Sequence, residues 1–275
     1  MIRQIYREKP SVLKSSLSLL MHRPKLKPDL ELPDIELCWS LPCIDLAGLN
    51  SYQELCAYAI DDRVPLCYPY VLCGPLHLQL MTRLPIPAMG LLHLTSEISL
   101  IESIDLQSPI ELICRSGMSK VTPQGLEFEA VSILEQAGKE KWRCTATFLK
   151  RGTFSNAIES DSPLLTKLDF SDPIGGFTIP RNIGRRYARL CGDYNPIHIS
   201  KPSAWLFGLK GSIAHGMWVG ARALSLISEK VNHLELAFKG PVFTGGHVDL
   251  VRKGDDFNLF YRGNDRPVIL GRVKD

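Results

Sequence analysis

Apolar and polar residues follow two different periods along the chain, and segments of the two kinds succeed each other in the same order twice. In the first half, Gly74 with Pro75 at the first-turn position predicts the start of a helix, and around Gly216 in the second half apolar residues recur at helical spacing. Each helical segment leads into runs with the composition and alternation of β-strands. These runs are 91–117, 125–134 and 141–152 in the first half, and 233–254, 257–263 and 267–275 in the second. The pattern predicts one helix followed by several antiparallel strands in each half.

The helix of the second half has an apolar face and an unusual number of small residues. Its polar side carries Arg222 and Ser225. Small residues allow a helix to approach a sheet closely, so we expect the strands to wrap around it. The apolar face comprises Ile213, Met217, Ala221, Leu224, Ile227 and Val231, and the small residues are Gly216, Gly220, Ala221 and Ala223.

An ungapped alignment of the two halves shows a faint internal repeat. Residues 58–67 lie against 189–198, which matches Asp62 with Asp193 and Pro65 with Pro196. In the same register Val64 and Cys67 stand where the second half has Asn195 and His198. We therefore predict two related domains, 1–152 and 173–275, joined by a linker at 153–172 that is rich in Ser and Asp.

The composition is typical of a globular protein and gives little support to nucleic-acid binding. The chain has 275 residues, 45% hydrophobic and 22% charged, with a net charge of +3, as expected for a globular protein. Basic residues form no long runs, so nucleic-acid binding has little support. The eight cysteines include no C-x-x-C pair and read as buried thiols, which favours a reducing compartment and predicts a cytoplasmic location.

The first 24 residues are basic and amphipathic. They contain no apolar run long enough for a membrane span, and Pro24 interrupts them. We favour a helix packed on the domain and leading into the first strand. A targeting or membrane-surface role stays open.

The side chains capable of acid–base chemistry are concentrated between Ile183 and His215. A short helix from Ile183 is predicted to end at Gly192, and Asp193, Asn195 and His198 follow in a loop stiffened by Pro196. A carboxylate and an imidazole that converge on one point can transfer protons to and from a water molecule. An Asp-x-Asn-Pro run alone is usually an ordinary turn, but His198 and the Ala-His-Gly-Met helix start favour a catalytic loop.

The run Y-A-R-L-C-G-D-Y-N-P-I-H, followed by I-A-H-G-M, resembles the signature of the MaoC-like dehydratases, the family of R-specific enoyl-CoA hydratases. The segments LCYPYVLCGPLHLQLMT and IPAMGLLHL resemble the N-terminal half of two-domain members. The resemblance implies an α+β, double hot-dog fold. In that fold two antiparallel sheets, or one continuous curved sheet, wrap around two central helices.

The resemblance also assigns residues. Asp193 and His198 match the catalytic pair, Asn195 the accompanying amide, and Gly216 the backbone N–H that binds the thioester oxygen. Cys191 and Ser200 depart from the family's usual Ser or Thr and Asp, from which we expect altered loop packing only. The first half lacks the amide and the imidazole, and Cys73 stands in place of His215, so this half is expected to be catalytically empty and to widen the acyl pocket.

Other residues have supporting roles in this hypothesis. His215 either contacts the substrate or anchors the loop, and Tyr187 is core or channel wall. Arg186, Lys201 and Lys210 either contact the phosphates of the thioester carrier or form a solvated helix face.

The predicted activity is reversible hydration of trans-2-enoyl thioesters to R-3-hydroxyacyl thioesters, without a metal or a redox cofactor. Coenzyme A or the phosphopantetheine of an acyl carrier protein arrives with the substrate. Thioester hydrolysis and non-catalytic acyl-CoA binding, or a scaffold role, remain alternatives. The chain acts either as a monomer, which forms an internal pseudo-dimer, or as a homodimer.

Overall fold

The described residues group by their contacts into two compact units. The computed structural model describes residues 1–27, 29–155, 157–159, 165–228 and 230–274. Unit 1 comprises Met1–Asp45, Pro69–Thr95 and Leu100–Ser162, and unit 2 comprises Leu46–Tyr68, Ser96–Ser99 and Pro163–Asp275. Of the predicted linker, Asn156 and residues 160–164 lie outside the described residues, as does Asp275 at the end of the last predicted strand.

The strands of unit 1 form an antiparallel arrangement with one parallel strand added at its edge. In space they follow the order β1-β2-β4-β5-β6-β3, in which β1 pairs in parallel with β2. The pairs β2·β4, β4·β5 and β5·β6 are antiparallel. The strands are β1 (Ile2–Tyr6), β2 (Ile35–Leu41), β3 (Leu91–Leu100), β4 (Ile110–Thr122), β5 (Gly125–Gln136) and β6 (Lys139–Arg151).

Unit 2 contains the remaining strands, in the order β8-β11-β10-β9-β7. All four of these pairings are antiparallel. The strands are β7 (Gly175–Thr178), β8 (His233–Phe238), β9 (His247–Lys253), β10 (Asp256–Tyr261) and β11 (Pro267–Lys274). The helices in the described part of the chain are α1 (Val12–Met21), α2 (Leu46–Cys56), α3 (Tyr68–Leu72), α4 (Gly74–Met81), α5 (Ile183–Cys191), α6 (Pro196–Ile199), α7 (Lys201–Trp205) and α8 (Gly216–Ile227).

The strand order repeats between the units. In unit 1, the order β2-β4-β5-β6-β3 corresponds strand for strand to β7-β9-β10-β11-β8 in unit 2. In each series helices separate the first strand from the second along the chain, and three consecutive strands follow. This repetition agrees with the internal repeat found in the sequence. The domain boundaries at 152 and 173 stay a prediction, and the contacts group Leu46–Tyr68 with unit 2.

Helix α8 is buried and lies very close to β8. It starts at Gly216, as predicted, and ends at Ile227. A Cβ atom at Gly216 would come within 2.7 Å of the Phe238 ring, and one at Gly220 within 2.5 Å of Leu236 Cδ1. The small residues of α8 therefore permit the close helix–sheet approach that the sequence pattern indicated.

The N-terminal segment is more structured than the sequence suggested. The predicted helix is present as α1, but the short strand β1 precedes it. Strands β1 and β7 and the helices α2, α3, α6 and α7 had no counterpart in the sequence pattern. Strand β2 lies where a strand was expected after the N-terminal helix. None of the helices in the described part of the chain combines the length and hydropathy that a bilayer crossing needs.

Candidate active site

The candidate catalytic loop begins where α5 ends. Gly192 adopts a left-handed conformation with φ 81°, and its N–H donates to the Ala188 carbonyl at 2.8 Å. Glycine adopts this conformation without strain and so ends the helix at the predicted position. Asp193 follows, and its N–H lies 3.4 Å from Cys191 Sγ, which accepts the bond. The unusual Cys191 thus contributes to the packing of the loop.

A second short turn then brings His198 back toward Asp193. Asp193 Oδ1 accepts the N–H of Asn195 at 3.0 Å, and Asn195 Oδ1 in turn caps α6 by accepting the N–H of Ile197 at 3.4 Å. Pro196 occupies the first turn of α6, where a missing N–H costs nothing. Asn195 therefore builds the loop through both its backbone and its side chain, an arrangement typical of Asx turns.

Gly184 determines how closely α6 approaches α5. A Cβ atom at Gly184 would lie 1.8 Å from the His198 carbonyl oxygen, so only glycine fits. The importance of Gly184 was not evident from the sequence. A glycine inside the predicted helix was visible, but nothing in the sequence shows which backbone it contacts.

The tautomer of His198 is set by a backbone carbonyl. His198 Nδ1 lies 2.9 Å from the Ile213 carbonyl oxygen, so this nitrogen carries the proton and donates it. Nε2 then presents a lone pair. Burial lowers the pKa of His198, an effect that outweighs the opposing influences of Asp193 and of the Ile213 carbonyl. The imidazole is therefore neutral at neutral pH and can act as a base.

His215 contacts both His198 and Asp193. Its ring stacks on that of His198 with 3.7 Å between centroids, and its Nε2 lies 3.0 Å from the Asp193 carbonyl oxygen. Burial and the neighbouring His198 lower the pKa of His215, so this ring also stays neutral. His215 Nε2–H thereby fixes the Asp193 backbone. Tyr187 packs against His215, with 5.0 Å between ring centroids.

The carboxylate of Asp193 and the base of His198 face each other across a short gap. Asp193 Oδ2 lies 3.9 Å from His198 Nε2, too far for a direct hydrogen bond but suited to one oxygen atom held between them. The Asp193 side chain is 45% exposed, whereas His198 is largely buried. The couple is thus accessible to a ligand from the Asp193 side. The predicted convergence of Asp193 and His198 is present in the structure.

Gly216 starts α8 directly after His215. The N–H groups in the first turn of a helix have no acceptor within that helix, and the helix dipole adds partial positive charge there. Because α8 is 12 residues long, its first turn is a suitable donor for a developing oxyanion.

The predicted phosphate contacts Arg186, Lys201 and Lys210 are all exposed. The Lys201 ammonium lies over the exposed Trp205 ring, 5.1 Å from its centroid. Both residues belong to α7, which directly follows the candidate catalytic turn.

Three side chains at the site could in principle ligate a metal ion. Asp193, His198 and His215 each offer an atom within 4.8 Å of the others. However, His215 Nε2 carries the proton given to the Asp193 carbonyl, and its Nδ1 is buried without a hydrogen-bond partner among the described residues. Binding a metal through Nε2 would move that proton to Nδ1, for which the described part of the chain offers no acceptor. The residues therefore fit a metal poorly.

The corresponding residues of the first half form no such couple. Asp62 is exposed, while Cys67 is fully buried, and burial raises the pKa of its thiol to about 12. Cys73, at the start of α4, also has a raised pKa, chiefly because of Cys114 beside it and burial. Neither thiol can act as a base near neutral pH.

Unit 2 also contains a narrow cleft that is open to solvent. One side consists of residues between Gln53 and Leu66, and the other of Leu224, Ser228 and Val231 at the far end of α8. Residues from the first half of the sequence thus line a cleft beside the helix that begins at the candidate site.

Comparison with known proteins places the chain in a family. The family model described as a MaoC like domain matches residues 169–256, which include the whole candidate site. The 3-hydroxyacyl-thioester dehydratase X of Mycobacterium tuberculosis is 30% identical over 189 residues, which cover 68% of each protein. The chain belongs to the MaoC-like dehydratase family.

Solved structures of the family have the same fold. The crystal structure of HtdX of Mycobacterium tuberculosis superimposes with a TM-score of 0.72 at 26% identity, covering 86% of this chain and 98% of that one. A MaoC-like dehydratase from Phytophthora capsici gives a TM-score of 0.68 at 17% identity, covering 90% and 98%. The predicted α+β hot-dog fold and the family resemblance are confirmed.

Proposed function

We propose that this MaoC-like dehydratase catalyses the reversible hydration of trans-2-enoyl thioesters to R-3-hydroxyacyl thioesters. The proposal rests on one observation: Asp193 Oδ2 and His198 Nε2 lie 3.9 Å apart, and the Asp193 side chain is half-exposed, so a ligand can reach the space between them. The name of its relative, a 3-hydroxyacyl-thioester dehydratase, supports the same reaction.

In the proposed mechanism a water molecule occupies the gap and is held by both groups. His198 Nε2 accepts one proton from the water while the water oxygen bonds to C3 of the enoyl group. His198 Nε2 then gives this proton to C2 of the enoyl group, so that both side chains return to their starting protonation states. Asp193 stabilises the transient imidazolium because its carboxylate faces Nε2. In the reverse direction the same steps remove water.

The negative charge that develops on the thioester oxygen during the addition needs a donor. We assign this role to the Gly216 N–H at the start of α8, where the helix dipole assists it. No metal or redox cofactor is required, because the reaction consists of proton transfers and one addition. Activity that is unchanged by a chelator would support this part of the proposal.

The thioester carrier would meet the basic side chains around α7. Arg186, Lys201 and Lys210 are candidates for contacts with coenzyme A phosphates or a phosphopantetheine phosphate. Comparing crotonyl-CoA with crotonyl-N-acetylcysteamine tests this role. Lys201→Ala should raise KM for the CoA substrate while leaving KM for the carrier-free substrate unchanged.

The cleft at the far end of α8 is a candidate for the distal part of a longer acyl chain. Leu224 lies eight residues beyond Gly216, about 12 Å along the helix axis. A bulky residue at Val64, which lines the cleft, should lower kcat/KM for longer enoyl-CoA substrates and leave crotonyl-CoA unaffected. Equal effects on both substrates would argue against this assignment.

Product analysis separates hydration from the alternatives. Purified protein is mixed with enoyl-CoA substrates of increasing chain length. The proposal predicts loss of enoyl absorbance and formation of 3-hydroxyacyl-CoA, without release of free thiol. Release of free coenzyme A would instead identify a thioesterase, and tight binding without turnover a non-catalytic binding protein.

Two further proposals concern the cellular context. Seven of the eight cysteines are buried free thiols, which supports a reducing compartment such as the cytoplasm. The repeated strand order supports a monomer that forms an internal pseudo-dimer, with a homodimer as the alternative. Sedimentation equilibrium distinguishes the two oligomeric states.

A further inference from the structure

Helix α1 presents apolar side chains to solvent. Leu13, Leu17, Leu20 and Met21 are 80%, 55%, 45% and 69% exposed. At about 100° per residue these four positions fall within an arc of roughly 100° on one side of the helix. We call these four residues the α1 apolar face. Contiguous exposed apolar surface of this kind commonly marks an interaction site.

The outward orientation of this face is fixed by contacts on the opposite side of α1. Ser15 is buried, and its Oγ accepts a hydrogen bond from Gln79 Nε2 of α4 at 2.6 Å. His22 Nε2, just past the end of α1, lies 2.7 Å from the Leu84 carbonyl oxygen. Polar contacts therefore hold this side of α1 to the rest of unit 1, while Leu13, Leu17, Leu20 and Met21 point to solvent.

Exposed basic residues flank the α1 apolar face. Residues 1–27 contain seven Lys and Arg and one acidic residue, Glu8; Arg3 is paired with Glu36, and further acidic residues follow from Asp29 onward. Lys14 is exposed and borders the apolar arc. Arg23, Lys25 and Lys27 follow α1 closely and are also exposed.

We propose that the α1 apolar face docks on an anionic lipid membrane surface. A convex apolar strip bordered by cations has the character of a helix that lies in the lipid headgroup region, where leucines reach the acyl boundary and lysines contact lipid phosphates. A nucleic acid would use the cations but gain nothing from four exposed apolar side chains. The proposal goes beyond the hydratase activity and does not depend on it.

Vesicle co-sedimentation of the full chain tests the proposal. The wild type should sediment with phosphatidylcholine vesicles that contain phosphatidylglycerol and not with phosphatidylcholine alone, and high salt should weaken binding. The triple variant Leu13→Ser/Leu17→Ser/Leu20→Ser should bind about tenfold more weakly or not at all. Lys25→Glu/Lys27→Glu should weaken binding to the anionic vesicles by about tenfold.

A matched control removes exposed apolar residues elsewhere in unit 1. Met118→Ser/Ile101→Ser changes side chains that are also exposed, and it should sediment like the wild type. All variants should retain the wild-type melting temperature and enoyl-CoA turnover.

Three results would overturn the proposal. The first is no sedimentation of the wild type with either vesicle, and the second is equal binding to neutral and anionic vesicles. The third is a concentration-dependent dimer that the triple variant abolishes, in the absence of vesicle binding. That result would assign the α1 apolar face to a second copy of the chain.

Discussion

Two backbone carbonyls, rather than carboxylates, fix the tautomers of the histidines at the candidate site. The Ile213 carbonyl receives the His198 Nδ1 proton, and the Asp193 carbonyl receives the His215 Nε2 proton. His198 is thereby left with a lone pair directed at the gap beside Asp193. The residue types were readable from the sequence, whereas this assignment of protons required the fold, because Ile213 is 15 residues away.

The activity should depend weakly on pH in the neutral range. His198 must be neutral to accept the proton from water, and burial lowers its pKa below the ordinary value of about 6.5. The hydration rate at saturating substrate should thus stay level from neutral pH down through pH 6.5 and fall only in more acidic solution. A pH–rate profile that declines already above pH 7 would contradict a neutral, buried base.

Gly184 provides a test of how His198 is positioned. In Gly184→Ala the new methyl group would meet the His198 carbonyl oxygen, so α6 must move. We expect kcat to fall by at least about tenfold and the free energy of unfolding to fall by about 1–3 kcal/mol.

Gly211→Ala is the matched control for this variant. A Cβ atom at Gly211 would meet Phe243 at an ordinary contact distance of 3.6 Å. Its kinetics and urea denaturation should match those of the wild type. Equal behaviour of the two alanine variants would show that close packing at Gly184 is irrelevant to the site.

At the scale of single elements, α8 serves both packing and chemistry. Its first residue has to be small because the Phe238 ring of β8 lies against it, and its first N–H is the proposed oxyanion donor. The helix start at Gly216 was predictable from the pattern of small and apolar residues. Its partner strand was not, because the sequence contains no information on which aromatic ring faces Gly216.

Changing Gly216 to alanine should therefore affect stability and turnover together. We expect Gly216→Ala to lower the free energy of unfolding by about 1–3 kcal/mol through overpacking, and to lower kcat more than it changes KM. The double variant Gly216→Ala/Phe238→Leu should regain part of the stability lost, because the ring that clashes is gone. If the double variant is less stable than Gly216→Ala, the contact with Phe238 is not the cause.

Most of the elements that the sequence did not reveal are short, with the 11-residue helix α2 as the exception. Strand β1 has five residues and is mostly exposed, so its side chains show no clear alternation. Helices α6 and α7 span only four and five residues and are defined by caps from Asn195 and Ser200. The long strands and α8 were predicted from their apolar composition and patterning, and β5 and α8 are indeed buried over most of their length.

For the whole molecule, the buried neutral histidines make stability depend on pH. Both His198 and His215 have lowered pKa values in the folded state, so below about pH 6.5 the unfolded chain binds more protons than the folded one. Stability is then fully present above the unfolded-state pKa and declines as the pH falls below it. Each proton taken up on unfolding contributes a slope of about 1.4 kcal/mol per pH unit.

Urea denaturation between pH 7 and pH 5 measures this slope. The wild type should lose stability over that interval, and His215→Gln should show a shallower decline because one of the two buried histidines is gone. Identical slopes for the two proteins would mean that His215 is not held neutral by the fold.

Duplication explains how one chain of this length has two units with the same strand order. The sequence showed the repeat only faintly, through matches such as Asp62 with Asp193. The structure shows that the first-half residues diverged in environment as well as in type, since Asp62 is exposed and Cys67 is buried. What the sequence could not indicate is that Leu46–Tyr68 groups with unit 2, because contacts between distant segments leave no local pattern.

The most direct test of the central claim measures hydration of crotonyl-CoA and a longer trans-2-enoyl-CoA by the wild type, Asp193→Asn and His198→Gln, with thermal unfolding in parallel. We expect each substitution to lower kcat by about 10²–10⁴-fold while the melting temperature stays nearly unchanged. Turnover close to that of the wild type in both variants would contradict the assignment of acid–base chemistry to this loop.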